Sequence, residues 1–70
     1  MYTEHVEATV TRVTRSTVMA TTESGMPHGW FKRKYECLYD ADVGDTLVLE
    51  ETKCDGGVSL WKPIKVIQNG

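Results

Sequence analysis

Apolar and polar residues alternate with a period of two along most of the chain. Val6, Ala8 and Val10 alternate with Glu7, Thr9 and Thr11, which predicts a first strand over His5–Val13 with one buried face. The alternation slips by one at Val13. A β-bulge near Thr11–Arg12 accounts for the slip and curls the strand. A turn at Thr14–Ser16 leads to a second strand, Thr17–Thr22, with Val18 and Ala20 inward. Glu23-Ser24-Gly25 reads as a turn and Met26-Pro27-His28 as a loop, because Pro27 cannot serve in a paired central strand. A third strand is expected from Trp30 to about Leu38. Its core face is read as Phe31, Arg33, Tyr35 and Cys37, and its other face as Trp30, Lys32, Lys34 and Glu36. Asp40–Asp45 is turn-rich, with room for a single helical turn. The fourth strand, Thr46–Thr52, turns Leu47 and Leu49 inward. Gly56 and Gly57 supply the positive φ of a hairpin loop over Lys53–Gly57. The fifth strand, Val58–Ile67, is interrupted at Pro63 and places Trp61 and Lys65 on its outward face.

Five short strands, no helical period and no repeat predict an all-β protein with one domain over residues 1–70. The expected architecture is a small five-stranded, partly open barrel of the OB-like kind. An SH3-like barrel, with the same strand count, is the alternative. Composition agrees: the chain is 40% hydrophobic and 26% charged, and the N-terminal half is rich in Thr and Val. A chain of 70 residues buries only about 60% of its unfolded surface. So thin a core leaves little room for an enclosed active site and favours a binding module over an enzyme.

Three stretches carry a family resemblance: Val-Thr-Arg-Val-Thr-Arg-Ser-Thr-Val at 10–18, Glu-Ser-Gly at 23–25, and Val-Gly-Asp followed by alternating apolar residues at 43–49. Together they resemble the oligonucleotide-binding barrels of bacterial translation initiation factor one and the N-terminal barrel of the ribosome-assembly GTPases. The resemblance implies the OB-like fold and a nucleic-acid ligand. It also implies that Gly44 makes the turn before the fourth strand, while Asp45 holds that loop through backbone N–H groups.

Net charge is −2, which argues against a generic polyanion binder, but the distribution is uneven. His28–Tyr35 holds three bases and no acid. Asp40–Asp55 holds six acids against Lys53 alone. Aromatic platforms for bases with cations along the backbone are what single-stranded nucleic acid requires. Trp30, Lys32, Lys34 and Trp61 are therefore the first candidates for binding single-stranded nucleic acid or structured RNA. Arg12, Arg15, Lys62 and Lys65 are second candidates, the two arginines flanking the first turn. The competing structural reading makes Trp30 a packing residue at the barrel end and the lysines solubilising edge charges. The competing functional reading is a protein-interaction or regulatory module that docks on a larger protein through the tryptophans and the acidic segment.

No catalytic residues are expected. His5, His28, Cys37 and Cys54 lack metal-ligand spacing, no nucleophile sits beside a positioned His, and no Gly-rich phosphate loop precedes a helix. No cofactor and no metal are expected. Cys37 reads as a buried thiol and Cys54 as an exposed one. The chain carries no secretory signal and no membrane-spanning run, so a cytoplasmic location with reduced thiols is expected.

Overall fold

The computed structural model describes residues 2–69. Five antiparallel strands form a single curled sheet: β1 (Tyr2–Val13), β2 (Thr17–Thr22), β3 (Pro27–Phe31), β4 (Thr46–Lys53) and β5 (Ser59–Ile67). Their order is β3-β2-β1-β4-β5. A meander of three strands is followed by a return of β4 to β1, an order compatible with an OB-like barrel. β3 and β5 are the two edges of the curl and share no ladder.

The expected bulge in β1 is present. The register with β2 runs Val10↔Ala20 and then Arg12↔Met19, so Thr11 is the extra residue. Curling at that point brings Ala8, Val10, Val18, Ala20, Leu47 and Leu49 onto one concave face, where all six are buried. β1 begins at Tyr2, earlier than its alternation indicates. Here pairing decides. Tyr2 stands opposite Lys53, and the Lys53 ammonium donates to the Tyr2 hydroxyl at 3.0 Å.

The third strand is the principal correction. β3 begins at Pro27 and ends at Phe31; residues 32–40 form two 3-10 turns, Lys32–Lys34 and Glu36–Asp40. Backbone N–H groups of Tyr35, Leu38 and Ala41 donate to the carbonyls of Lys32, Tyr35 and Leu38 respectively. That repeat of three places Tyr35, Leu38 and Ala41 on one side of the segment. Leu38 and Ala41 are buried in the core, and Tyr35 packs against it. The chain leaves the sheet edge at Phe31 so that Leu38, fully enclosed, can plug the curl.

Both prolines follow from the edges. Thr22 N–H donates to Met26 C=O at 3.0 Å, and Lys32 N–H donates to Ser16 C=O at 2.8 Å, bracketing the β2–β3 ladder. By the alternation of antiparallel pairs, His28 and Trp30 bond to β2 while Pro27, Gly29 and Phe31 face the open side. Pro27 therefore forfeits no ladder bond and starts an edge strand. On β5, Cys54 N–H donates to Val58 C=O at 2.8 Å. The same alternation turns the backbone groups of Trp61 and Pro63 outward. Pro63 thus lies within a continuous β5 and does not interrupt it. The irregularity falls one residue later, where Val48↔Lys65 and Leu49↔Pro63 skip Ile64.

The loop before β4 is fixed by Asp45, which is buried. One carboxylate oxygen accepts the Asp42 N–H at 2.9 Å, and the other accepts the Asn69 N–H at 3.1 Å. Gly44, at φ +94°, reverses the chain and donates its N–H to Val10 C=O at 2.9 Å. One side chain thus ties the 41–45 loop to the residues after β5.

Asp45→Ala is expected to destabilise the protein by about 2–3 kcal/mol, because two backbone donors lose a charged acceptor. Asp45→Asn, which keeps one acceptor oxygen, is expected to cost about half as much. Urea unfolding of the two variants beside the parent checks both values.

Candidate nucleic-acid interface

The residues singled out from the sequence divide into two groups in space. Trp30 lies opposite Val18 on the concave face of β3, half-buried against the core. Trp61 lies opposite Glu51, also half-buried against the core. The expected faces of the third strand are therefore inverted: Trp30 points in, and Phe31, 50% exposed, points out. The cause is the pairing with β2, in which Trp30 takes the inward row of Val18 and Phe31 the outward row of Thr17. Trp61 and Lys65 do not share a face, because the extra residue Ile64 lies between them and reverses the alternation.

The two tryptophans meet across the open edge. Trp30 Nε1–H donates to the Trp61 backbone carbonyl at 3.2 Å. That carbonyl is an outward group of the β5 edge, so the indole satisfies an acceptor the ladder leaves free. His28 joins them, with its ring centroid 5.8 Å from Trp30 and 4.6 Å from Trp61. His28 Nε2 is buried and has no hydrogen-bond partner among the described residues. These three rings close the gap between β3 and β5 by side-chain contact.

A second group lies outside. The turn between β1 and β2 meets the end of β3, where Lys32 N–H is bonded to Ser16 C=O. A groove of about 460 Å³ opens there, lined by Arg15, Ser16, Phe31, Lys32, Arg33 and Tyr39. Tyr39 is 60% exposed. The Arg33 guanidinium lies 5.7 Å from the centre of the Phe31 ring, within cation–π range. The outer face of β2 and β3 continues the groove. Arg12, Met19 and Gly29 stand in one cross-strand row and Thr17 and Phe31 in the next. Gly29 leaves a depression of about 190 Å³ floored by Met19, Trp30 and Phe31. A Cβ added at Gly29 would meet Met19 at 3.6 Å, an ordinary contact.

Electrostatics sharpen the contrast. Among the described residues only two side-chain pairs come within ion-pair distance, His5–Glu50 at 3.9 Å and Lys53–Glu4 at 3.8 Å. Arg12, Arg15, Lys32, Arg33, Lys34, Lys62 and Lys65 have no carboxylate partner among the described residues. Arg15 and Lys32 line the groove and Arg12 flanks it on the outer face. Lys34 is exposed on the first 3-10 turn outside the groove, and Lys62 and Lys65 are exposed on the outer face of β5. The acids of Asp40–Asp55 do not form one surface. Asp45 is used internally, Glu50 faces His5 on the outer side, and Glu51 is buried on the concave side.

Sequence reasoning missed Phe31, Arg33 and Tyr39. The signal was present in the spacing: Tyr35, Leu38 and Ala41 fall at intervals of three, which marks a 3-10 segment and leaves the residues between them outside. Cys37 and Cys54 are both free and half-buried, so Cys54 is less open than its loop position suggests. Burial pushes the Cys37 thiol up, and Asp40 adds to the effect, so Cys37 is a packing group held in its neutral form. No described helix is long and apolar enough to cross a membrane.

No protein-family model matches this chain, and no curated protein and no solved structure matches it. The likeness to the initiation-factor and GTPase barrels thus has no family match behind it, while the OB-like fold it implies is compatible with the strand order found.

Trp30→Phe, which keeps the apolar ring and removes the indole donor, is expected to cost about 1 kcal/mol. Trp30→Ala, which also empties the gap between β3 and β5, is expected to cost about 3 kcal/mol. For a domain this small each kcal/mol lowers the melting temperature by about 4–8 °C, so calorimetry resolves the two variants from each other and from the parent.

Proposed function

We propose that this protein is a non-catalytic module that binds single-stranded nucleic acid on the outer face of β2 and β3 and in the groove beside the β1–β2 turn. The observation that carries the reading is the convergence of exposed Phe31 and Tyr39 with Arg15, Lys32 and Arg33, none of them ion-paired among the described residues. Bases stack on aromatic faces whatever their identity, and each such contact contributes about 1–3 kcal/mol. Cations that have no internal partner meet phosphates without first breaking a salt bridge. OB-like barrels use this same region, the outer face of the second and third strands with the first connecting loop, for oligonucleotides. The resemblance of residues 10–18 to nucleic-acid-binding barrels points the same way.

The reading assigns the binding to Phe31, Tyr39, Arg15, Lys32 and Arg33, with Arg12 extending the track along the row of Met19 and Gly29. Trp30 and Trp61 act in the proposal as closures of the barrel, not as stacking platforms. Lys34, Lys62 and Lys65 contribute only general positive charge. The gap at Gly29 lets a flat base approach the strand backbone between Met19 and Phe31.

The test is fluorescence anisotropy of labelled ten-nucleotide oligo(U) and oligo(dT) at two salt concentrations. Three groove cations predict a slope of log K against log salt of about −2. Phe31→Ala is expected to weaken binding by about tenfold, and Arg33→Ala to reduce the slope by about 0.7 as well. Gly29→Val, which fills the depression without backbone strain, is expected to weaken binding while the fold persists. Absence of saturable binding to either oligonucleotide at low salt overturns the proposal. The protein-docking alternative would then be pursued by looking for salt-insensitive association through Met19 and Phe31.

A further inference from the structure

A cleft of about 470 Å³ opens where β2 runs out into the 23–25 turn. The basic groove lies at the other end of the same strand, beside the turn that precedes Thr17. We infer that this cleft binds an organic cation, an alkylammonium or guanidinium group, on the carboxylate of Glu51.

Its lining carries three acids, Glu7, Glu23 and Glu51, together with His5, Val6 and Trp61, and no Lys or Arg. Glu51 is the decisive member. It is only 9% exposed, it lines the cleft, and it has no hydrogen bond or ion pair among the described residues. The carboxylate lines the cleft, where an incoming cation can meet it without first breaking an ion pair. Lys53 shares the face of Glu51, but its ammonium donates to the Tyr2 hydroxyl at 3.0 Å and sits 3.8 Å from Glu4. It does not come within ion-pair distance of Glu51. His5 is directed to Glu50 at 3.9 Å.

The chemistry of the ligand follows from what surrounds that carboxylate. Among the described residues no three His, Cys, Asp or Glu side chains stand close enough to hold a metal ion together. A metal would need several such ligands, whereas an ammonium or guanidinium can be met by one buried carboxylate with its remaining donors directed to the rim. Trp61 supplies an indole wall for a planar guanidinium or for the methylene chain of an amine. The cleft is therefore built for a group with one positive charge and a short apolar stem. A Lys or Arg side chain in a peptide and a free small amine both offer that chemistry.

The experiment is a titration followed by ¹H–¹⁵N correlation spectra of the whole protein. Agmatine and n-butylammonium are the probes, and n-butanol is the neutral control. The expected result is saturable shifts at Thr22, Ser24, Glu51 and the Trp61 indole with both cations, and none with butanol. Glu51→Gln is expected to weaken the response by about tenfold or more while leaving the free protein about as stable, since Glu51 makes no hydrogen bond or ion pair among the described residues. A merely structural carboxylate would give the reverse pattern. Should Glu51→Gln fail to fold, Glu51→Asp withdraws the carboxylate by one methylene and is expected to weaken binding in the same direction. Lys53→Met, which removes the nearest competing cation, is expected to keep or tighten it. An acetylated Gly-Ser peptide with one Arg separates the sources: tighter binding than agmatine identifies a peptide side chain, weaker binding a small amine. No saturable shift up to ~10 mM of either cation, the range of single-group affinities, overturns the inference. So does a response that survives Glu51→Gln unchanged.

Discussion

In this sheet β3 and β5 approach each other without a ladder between them, and the rest of the molecule is arranged around that gap. An unpaired edge presents N–H and C=O groups that need partners. The Trp30 indole takes the Trp61 carbonyl at 3.2 Å, His28 fills the space between the two rings, and Leu38 covers the core beside them. Pro27 and Pro63 lie where a missing N–H costs nothing. The same constraint determines which aromatics are free. Trp30 and Trp61 lie on the concave side, so a stacking surface on the outer face has to come from Phe31 and Tyr39, which the gap does not use.

Much of this was legible from hydrophobic spacing alone, where one periodicity dominated. β2 alternates, β4 turns Leu47 and Leu49 inward as their spacing indicates, and a single slip in β1 announced the bulge at Thr11. The role of Asp45 was legible as well, not from spacing but from the resemblance to the initiation-factor and GTPase barrels, which implied a Gly-Asp turn before the fourth strand. The segment from Trp30 to Leu38 was not, because two periods overlap in it. Phe31, Arg33, Tyr35 and Cys37 satisfy a strand, whereas Tyr35, Leu38 and Ala41 satisfy a 3-10 segment. Local pattern does not choose between them. The choice is made by the open end of the curl, which needs one large apolar plug, and Leu38 is the residue that can reach it. Once β3 stops at Phe31, its pairing with β2 inverts the faces of Trp30 and Phe31, and the candidate surface moves by one residue. In β5 the obstacle was smaller: Pro63 drew attention to itself, while the bulge sat at Ile64, which carries no marker.

The distribution of charge shows a division of labour between the signs. Several carboxylates are committed to the fold or to a neighbour: Asp45 to two backbone donors, Glu50 to His5 and Glu4 to Lys53. Seven of the eight Lys and Arg side chains have no such commitment among the described residues. Surface ion pairs contribute little to stability, so leaving these cations free costs the fold almost nothing. It also leaves them available to an external anion with no internal bond to break. Net charge alone, at −2, hides this, because it counts acids that are already occupied.

Position completes the argument. β2 is short, about 20 Å from end to end, yet its two ends differ in kind. At the end preceding Thr17 the free cations gather round exposed rings. At the end following Thr22 the cleft holds acids and one indole, with Glu51 lining it and not ion-paired among the described residues. Opposite charges this close on a thin protein would tend to neutralise one another if their side chains could meet. The sheet prevents that: Arg15, Lys32 and Arg33 lie round its outer rim, whereas Glu51 sits on its concave side. Glu51 stands beside the Trp61 indole with no cation within ion-pair distance among the described residues, and that is the arrangement the inferred organic cation requires.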